Sequence, residues 1–193
     1  TTAAVKCKHI IPLEAKSMTH ENSAAYRTRI LVMTALLAAL SCVATLVIRI
    51  PSPTGGYMNL GDTVVLLGAY LLGGAYGAAA GGIGPTLADL ISGYTAYVPA
   101  TLVIKALMAL LAAAIYRASG KHPWSLVLAS LAAEILMVAG YWLYDGILMN
   151  SMLGAAAGIP SNVVQSLLGI AASTVLALAL KGVKPVREWF PKL

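Results

Sequence analysis

Six apolar stretches follow one another along the chain, separated by short segments that contain glycine, proline or basic residues. Each stretch is near the roughly 20 residues that an α-helix needs to cross a hydrocarbon core. Apolar runs of this length predict membrane-spanning helices rather than strands. We therefore predict an all-α membrane protein built as a bundle of six transmembrane helices. The predicted spans are 28 to 49, 60 to 74, 75 to 93, 98 to 117, 124 to 145 and 159 to 181.

The second and third stretches are the least clearly separated, because only glycines lie between them and the second stretch is short. They can instead form one kinked element or a re-entrant pair. Small residues recur every four positions in two rows here, which predicts that these helices closely approach a neighbour. The rows are Gly73, Gly77 and Gly81, and Gly74, Ala78 and Gly82.

The composition fits this class, since 59% of the 193 residues are hydrophobic and 10% are charged. A soluble domain carries about 25% charged residues, so an ordinary soluble domain is excluded. We divide the chain into a polar arm (1–27), a transmembrane domain (28–183) and a basic tail (184–193). The arm lacks the apolar core of a signal peptide and begins without methionine, so we expect part of it to be processed or added for expression.

Basic residues lie almost entirely on one side of this topology. Short loops rich in lysine and arginine stay in the cytoplasm, and with six spans both chain ends share that side. We therefore predict cytoplasmic N and C termini, and we interpret the net charge of +6 as a topology signal rather than a nucleic-acid footprint. The opposite side has Arg49, and the basic side has Lys6, Lys8, Lys16, Arg27, Arg29, Arg117, Lys121, Lys181, Lys184, Arg187 and Lys192.

Five ionisable residues lie in or at the edges of the apolar stretches. A charge within a bilayer costs at least a few kcal/mol, so such side chains face a bundle interior or a ligand cavity. They can also pair with one another as structural ion pairs, and both interpretations stay open for each residue. The five are Asp62, Asp89, Lys105, Glu134 and Asp145.

Polar positions converge in the outer half of the predicted bundle. Lys105 lies roughly 10 Å below the outer surface on the fourth helix. The fifth and sixth helices each carry a polar face whose members recur at spacings of three and four. We predict a pocket that opens outward above an apolar inner half. The faces consist of Glu134, Met137, Tyr141 and Asp145, and of Asn162, Gln165 and Gly169.

Two segments are placed to form the rim of this pocket. Residues 50–59 and 94–97 are rich in proline, glycine and tyrosine, which predicts loops. The tyrosines can stack on a planar ring and hydrogen-bond to its substituents, although tyrosines at helix ends also commonly form interfacial belts. The tyrosines in question are Tyr57, Tyr94, Tyr97, Tyr141 and Tyr144.

Four strings in the chain resemble the substrate-binding S component of energy-coupling factor (ECF) vitamin transporters. The resemblance covers roughly residues 28 to 183, with the strings in order and at the right helix positions. It implies a six-helix subunit of a prokaryotic plasma membrane that captures a water-soluble vitamin or precursor outside. The subunit then docks onto a transmembrane coupling protein and two ATPases. The strings are G-Y-M-N-L-G-D (56–62), G-G-I-G-P-T-L-A-D-L-I-S-G-Y (81–94), P-A-T-L-V-I-K-A-L-M-A (99–109) and G-I-P-S-N-V-V-Q (158–165).

The resemblance also implies roles for individual residues. Ala35 and Ala39 form an A-x-x-x-A pattern that matches the docking surface for the coupling protein. Tyr57, Asn59, Lys105, Glu134, Tyr141, Asn162 and Gln165 match the substrate contacts, and the polar pattern adds Asp62, Asp89, Tyr94 and Tyr97 as substrate-binding candidates. The chain has no G-x-x-x-x-G-K-[ST] string for ATP phosphates. We expect it to bind no cofactor or metal itself, with ATP used by partner ATPases.

Acidic residues exceed basic ones in the outer half, which suits a small aromatic ring bearing hydroxyl or amino donors. The strings look most like the branch associated with pyridoxine-type compounds and hydroxymethylpyrimidine, with riboflavin and pantothenate branches as alternatives. A stand-alone transporter in which Asp89, Lys105 and Glu134 relay protons also stays open. An intramembrane enzyme is disfavoured, because the spans contain no histidine and no G-x-S-x-G or H-E-x-x-H string.

Overall fold

The protein is a helical bundle with one small β-hairpin. The structure is a computed structural model that describes residues 13–190 and 193. The strands β1 (Ile50–Pro51) and β2 (Tyr57–Met58) pair antiparallel. The helices are α1 (Leu13–Val47), α2 (Gly61–Leu72), α3 (Gly74–Ser92), α4 (Val98–Ala118), α5 (Pro123–Leu148), α6 (Met152–Ala155), α7 (Ile159–Lys181) and α8 (Lys184–Trp189), and a short 3₁₀ turn joins α6 to α7.

Prolines and one glycine explain why most helix boundaries lie close to the predicted ones. Pro99, Pro123 and Pro160 stand in the first turn of α4, α5 and α7, where the missing N–H of proline costs nothing. Gly93 ends α3 in the left-handed conformation, with φ of 81°. The first helix differs, because α1 begins at Leu13 and includes the described part of the predicted arm. Residues 1–12 of that arm lie outside the described residues.

Within the described residues, four helical segments are long and apolar enough to cross a membrane, which makes the chain a multi-pass membrane protein. They are Ala24–Val47, Val98–Ala118, Pro123–Leu148 and Met152–Lys181. The apolar helix α2 has 12 residues and is therefore about 18 Å long, against a hydrocarbon core of about 30 Å. Six crossings therefore stay a prediction.

Helices α2 and α3 form an antiparallel pair that reverses at Gly73, which has φ of 80°. A Cβ atom at Gly77 would lie 2.8 Å from Ala69 Cα, and one at Gly81 would lie 2.9 Å from Val65 Cγ1. A Cβ atom at Gly82, in the second row, would lie 3.1 Å from the Leu102 carbonyl oxygen of α4. The predicted close packing of both rows is confirmed, and the single kinked element is not what forms.

Replacing Gly77 by alanine is expected to destabilise the protein by about 1–3 kcal/mol, because the added methyl group overlaps backbone atoms of α2. Thermal unfolding of the purified protein in detergent measures the effect. Gly68→Ala in α2 is the matched control in the same helix pair, since its Cβ atom would lie 4.0 Å from Leu37 Cδ1 and meet nothing closer. A Gly77→Ala protein as stable as the control would contradict the close packing.

Helix α2 lies at the centre of the bundle and is shorter than the helices around it. Eleven of its 12 residues are buried, and it packs most extensively against α1, α3, α4 and α7. Helix α4 has 21 residues, so it exceeds α2 by about 14 Å at 1.5 Å per residue. Above the first turn of α2, the bundle centre therefore holds no helix. We call this end of the bundle, beneath the β-hairpin, the cavity end.

The opposite end gathers basic residues, and we call it the basic end. Lys181 Nζ donates to the Lys121 carbonyl oxygen (2.9 Å), and the Arg29 guanidinium lies 4.4 Å from the ring centre of Trp189 in α8. The segment predicted as a basic tail thus contains a helix that contacts α1. Lys6, Lys8 and Lys192, which belong to the predicted basic side, lie outside the described residues.

The prediction of an apolar inner half is wrong. Tyr70 of α2 is fully buried there, and its hydroxyl contacts Ser130 Oγ (2.7 Å) and the Leu126 carbonyl oxygen (3.1 Å) of α5. Ser130 Oγ also lies 3.4 Å from Ser173 Oγ of α7. Hydroxyl groups satisfy one another across helix interfaces. Single serines and tyrosines barely interrupt an apolar pattern, so the pattern concealed this cluster.

Candidate functional site

A cavity occupies the cavity end of the bundle, above the first turn of α2. It encloses about 480 Å³ of space between atoms, its open mouth included. The β-hairpin covers it, and α1, α3, α4, α5 and α7 contribute its walls. The lining residues are Thr45, Ser52, Thr54, Gly56, Tyr57, Asn59, Pro85, Asp89, Tyr97, Thr101, Lys105, Tyr141, Asp145, Asn162 and Gln165.

The floor of the cavity is a connected polar network. Lys105 Nζ forms an ion pair with Asp62 Oδ1, and Gln165 Nε2 donates to Asp62 Oδ2 (2.6 Å). The Asn59 backbone N–H donates to Gln165 Oε1 (2.7 Å), which ties the floor to the chain leaving the hairpin. Asp62 lies in the first turn of α2, where the helix dipole favours a negative charge. The Asp62 carboxylate is thus stabilised by the Lys105 cation, the Gln165 amide and the N-terminus of α2.

Two phenol–carboxylate pairs form the walls. Tyr57 Oη donates to Asp89 Oδ1 (2.6 Å), and Tyr97 Oη donates to Asp145 Oδ1 (2.8 Å). Burial, and then the hydrogen bond to a carboxylate, raises the pKa of both phenols well above the ordinary tyrosine value. Both tyrosines therefore stay neutral donors across the physiological pH range.

Acceptors outnumber cations around the cavity. Asp62, Asp89 and Asp145 are each at most 4% exposed, and Lys105 is the buried cation among them in the described part of the chain. The second oxygen of Asp89 is buried and accepts no hydrogen bond of normal geometry from the described residues, since the neighbouring Thr101 hydroxyl contacts Tyr141 Oη (3.0 Å) instead. A buried acceptor without a donor is costly. The site is therefore chemically suited to a ligand that donates N–H or O–H groups.

The structure brings eight of the eleven predicted site residues to the cavity wall. Asp62 lies directly beneath it, bonded to Lys105 and Gln165. Tyr94 stands behind the wall, with its ring centre 4.5 Å from that of Tyr57. Glu134 does not line the cavity. The eight are Tyr57, Asn59, Asp89, Tyr97, Lys105, Tyr141, Asn162 and Gln165.

Of the ion pairs that the five ionisable residues could form, the structure contains the one between the Lys105 ammonium and Asp62, and Glu134 is not the partner of Lys105. Glu134 lies beside Gly169 and lines a separate apolar groove between α5 and α7. It is 1% exposed, and neither carboxylate oxygen has a hydrogen-bond partner among the described residues. Its substrate-binding role stays a prediction.

Sequence reasoning missed several lining residues. Asp145 was singled out as ionisable, but it was not assigned to the site, and Thr45 and Thr101 gave no signal because isolated threonines are common in apolar helices. Tyr144, another candidate, donates instead to the Ala96 carbonyl oxygen. The segment 50–59 was predicted as a loop and contains β1 and β2. Strands of two residues are too short to show a periodic pattern.

The A-x-x-x-A pattern of α1 lies on the surface of the bundle. Ala35 and Ala39 are exposed, whereas Ala38 is buried, and a Cβ atom at Gly84 would lie 2.5 Å from the Ala38 carbonyl oxygen. Helix α1 therefore packs on α3 through Ala38, and its neighbours Ala35 and Ala39 are exposed at the surface of the bundle.

Comparison with known proteins gives a consistent result. Residues 25–182 match the protein family described as ECF-type riboflavin transporter, S component. An uncharacterized protein of Pyrococcus woesei is 34% identical over 140 residues, which cover 72% of this chain and 93% of that protein. The thiamine precursor transporter HmpT of Lactococcus lactis is 30% identical over 128 residues, covering 66% of this chain and 72% of that protein.

A solved structure supports the fold. The S component of a bacterial ECF transporter superimposes with a TM-score of 0.62 at 17% sequence identity. The match covers 81% of this chain and 97% of that one. At this level of identity the similarity establishes the arrangement of helices.

Proposed function

Because the chain belongs to the S component family of ECF-type riboflavin transporters, and is thus a transporter subunit, we propose that it captures a water-soluble vitamin or vitamin precursor at the outer face for an ATP-driven ECF complex. The observation that carries the proposal is the polar cavity at one end of the bundle, which Asp89, Asp145 and Lys105 line. A ligand that carries N–H or O–H groups would find acceptors there.

The orientation that suits this function has the cavity end outside and the basic end in the cytoplasm. Lysines and arginines at the basic end support it through the positive-inside rule. In this arrangement α2 and the covering hairpin together make one of six crossings, and both termini face the cytoplasm. A prokaryotic plasma membrane is the location that goes with this assignment.

For the substrate we favour a monocyclic nitrogen heterocycle, of the hydroxymethylpyrimidine or pyridoxine type. The similarity to a thiamine precursor transporter supports this class. So does the site, where Asp89 and Asp145 offer acceptors, Lys105 offers a cation, and Tyr57, Tyr97 and Tyr141 offer ring faces. Riboflavin is the second candidate, because the matching family carries its name, and pantothenate is a third.

Energy for transport comes, in this proposal, from a transmembrane coupling protein and two ATPases, with no cofactor held by this chain. The exposed Ala35 and Ala39 of α1 are the proposed contact with the coupling protein, because small residues allow close helix approach. Substrate and docking sites would then lie on different parts of the subunit.

Isothermal calorimetry on the purified chain alone is expected to give saturable binding of about one vitamin per chain, since every cavity wall belongs to this polypeptide. Hydroxymethylpyrimidine, pyridoxine, riboflavin and pantothenate form the test panel. Tightest binding of hydroxymethylpyrimidine or pyridoxine supports our substrate class, and tightest binding of riboflavin or pantothenate transfers the assignment to that vitamin. An absolute requirement for another subunit would contradict the proposal.

The same preparation separates an S component from a stand-alone proton-coupled carrier. Liposomes that contain the chain alone should show little uptake, with or without a proton gradient. Gradient-driven uptake of the bound vitamin by these liposomes would favour the stand-alone carrier.

A further inference from the structure

The central helix α2 is held at both ends by polar contacts. At the cavity end, Asp62 is bonded to Lys105 of α4 and Gln165 of α7. At the other end, Tyr70 contacts Ser130 and Leu126 of α5. Asp62 and Tyr70 are eight residues apart, about 12 Å along the helix. One short helix thus links the floor of the cavity to the hydroxyl cluster below it.

Between these contacts, α2 presents an almost entirely apolar surface to its neighbours. The intervening residues Val64 to Ala69 are buried among hydrophobic side chains. Apolar contact is non-directional, so it specifies the height and rotation of a helix less sharply than a hydrogen bond does. Glycines flank the helix, because Gly61 begins it and Gly73 follows its last residue. The polar contacts at its two ends therefore add directional constraints to the close packing of α2 on α3.

The Tyr70 hydroxyl is well placed for this purpose. It donates to the Leu126 carbonyl oxygen (3.1 Å), which leaves its oxygen free to accept from Ser130 Oγ (2.7 Å). Both partners lie on α5, and Tyr70 is 0% exposed. The bonds therefore tie α2 to a long helix that also supplies Tyr141 and Asp145 to the cavity.

We propose that Tyr70 is a positioning residue for the substrate site, acting through Asp62. Its hydroxyl holds α2 at the height and rotation at which Asp62 meets Lys105 and Gln165. Loss of the hydroxyl lets α2 shift, Asp62 loses its alignment, and Lys105 no longer presents the same geometry to a ligand. This inference rests on the proposed function for its ligand, while the coupling of Tyr70 to Asp62 concerns the protein itself.

The test is a double-mutant cycle with hydroxymethylpyrimidine as the ligand and calorimetry as the measurement. Tyr70→Phe is expected to weaken binding about five- to tenfold. In an Asp62→Asn background the same change should alter affinity less than about twofold, because Asp62 is the group through which Tyr70 acts. Equal effects in the two backgrounds would overturn the proposal, as would unchanged affinity in Tyr70→Phe.

Tyr116→Phe is the matched control. Tyr116 is 1% exposed, its ring centre lies 5.0 Å from that of Tyr70, and its hydroxyl has no hydrogen-bond partner among the described residues. The control loses a buried phenol oxygen at nearly the same place without breaking a bond to α5. Its affinity should stay within about twofold of wild type, and a loss equal to that of Tyr70→Phe would overturn the proposal.

The ligand-free melting temperatures of the same variants distinguish failure of this inference from failure of the proposed function. A wild-type protein that binds no member of the vitamin panel contradicts the function. The positioning role is then judged by melting temperature alone, where non-additive shifts for Tyr70→Phe and Asp62→Asn support it. Additive shifts would overturn it.

Discussion

Replacing Lys105 by methionine is expected to reduce vitamin affinity at least a hundredfold, about 2.8 kcal/mol. Methionine keeps much of the side-chain length but removes the cation that neutralises Asp62. A buried carboxylate without its partner is strongly destabilising, by about 3–5 kcal/mol in measured cases. The ligand therefore meets a cavity whose floor has lost both its charge balance and its shape. Calorimetry on the purified variant measures the loss.

Two further variants separate a binding role of Lys105 from a structural one. Lys181→Met makes the same chemical change at the basic end and should leave affinity unchanged. The double variant Asp62→Asn/Lys105→Met removes both charges and should regain melting temperature without regaining affinity. Wild-type affinity in the double variant would mean that the ion pair only supports the fold.

Ala39→Leu is expected to lower uptake by the complete transport complex more than tenfold while vitamin affinity stays within about twofold of wild type. Leucine adds bulk to an exposed position on α1 and blocks close approach of a partner helix. Ala39 is not among the residues that line the cavity. ATP-dependent uptake into liposomes measures transport by the complete complex, and calorimetry on the isolated subunit measures vitamin affinity.

An exposed alanine on another helix serves as the control for that comparison. Ala139→Leu enlarges α5, which packs against α4 and α7, and it should leave uptake unchanged if docking is confined to α1. Parallel losses of uptake and affinity in Ala39→Leu would instead indicate that Ala39 contributes to internal packing.

The helices were predictable because their signals are local. The length of each apolar run and the prolines that begin α4, α5 and α7 are properties of the chain itself, so these boundaries lie close to the prediction. The start of α1 could not be predicted, because the first residues of the helix, from Leu13 onward, are mostly polar and lack the apolar signal that marks a span. The two-residue strands likewise fall below any detectable periodicity.

The helix faces that line the site could be predicted from the sequence, but the side chains that pair with one another in it could not. Spacings of three and four placed Tyr141, Asn162 and Gln165 toward one interior, and they line the same cavity. The partner of Lys105 depends on the rotation and height of α2 and α5, which no single helix specifies. In the structure, Lys105 pairs with Asp62, and Glu134 lies in the groove between α5 and α7.

The brevity of α2 has a consequence for how the chain enters the membrane. A segment of about 18 Å leaves part of a bilayer's thickness uncovered, and Asp62 in its first turn adds a charge that lipid does not solvate. Helix α2 therefore does not hold a stable place in lipid by itself. Its backbone and its aspartate are shielded once α3 has folded back at Gly73 and α4 and α7 have supplied Lys105 and Gln165. In the proposed six-span arrangement, we therefore expect α2 to reach its final position only after α7 has been synthesised.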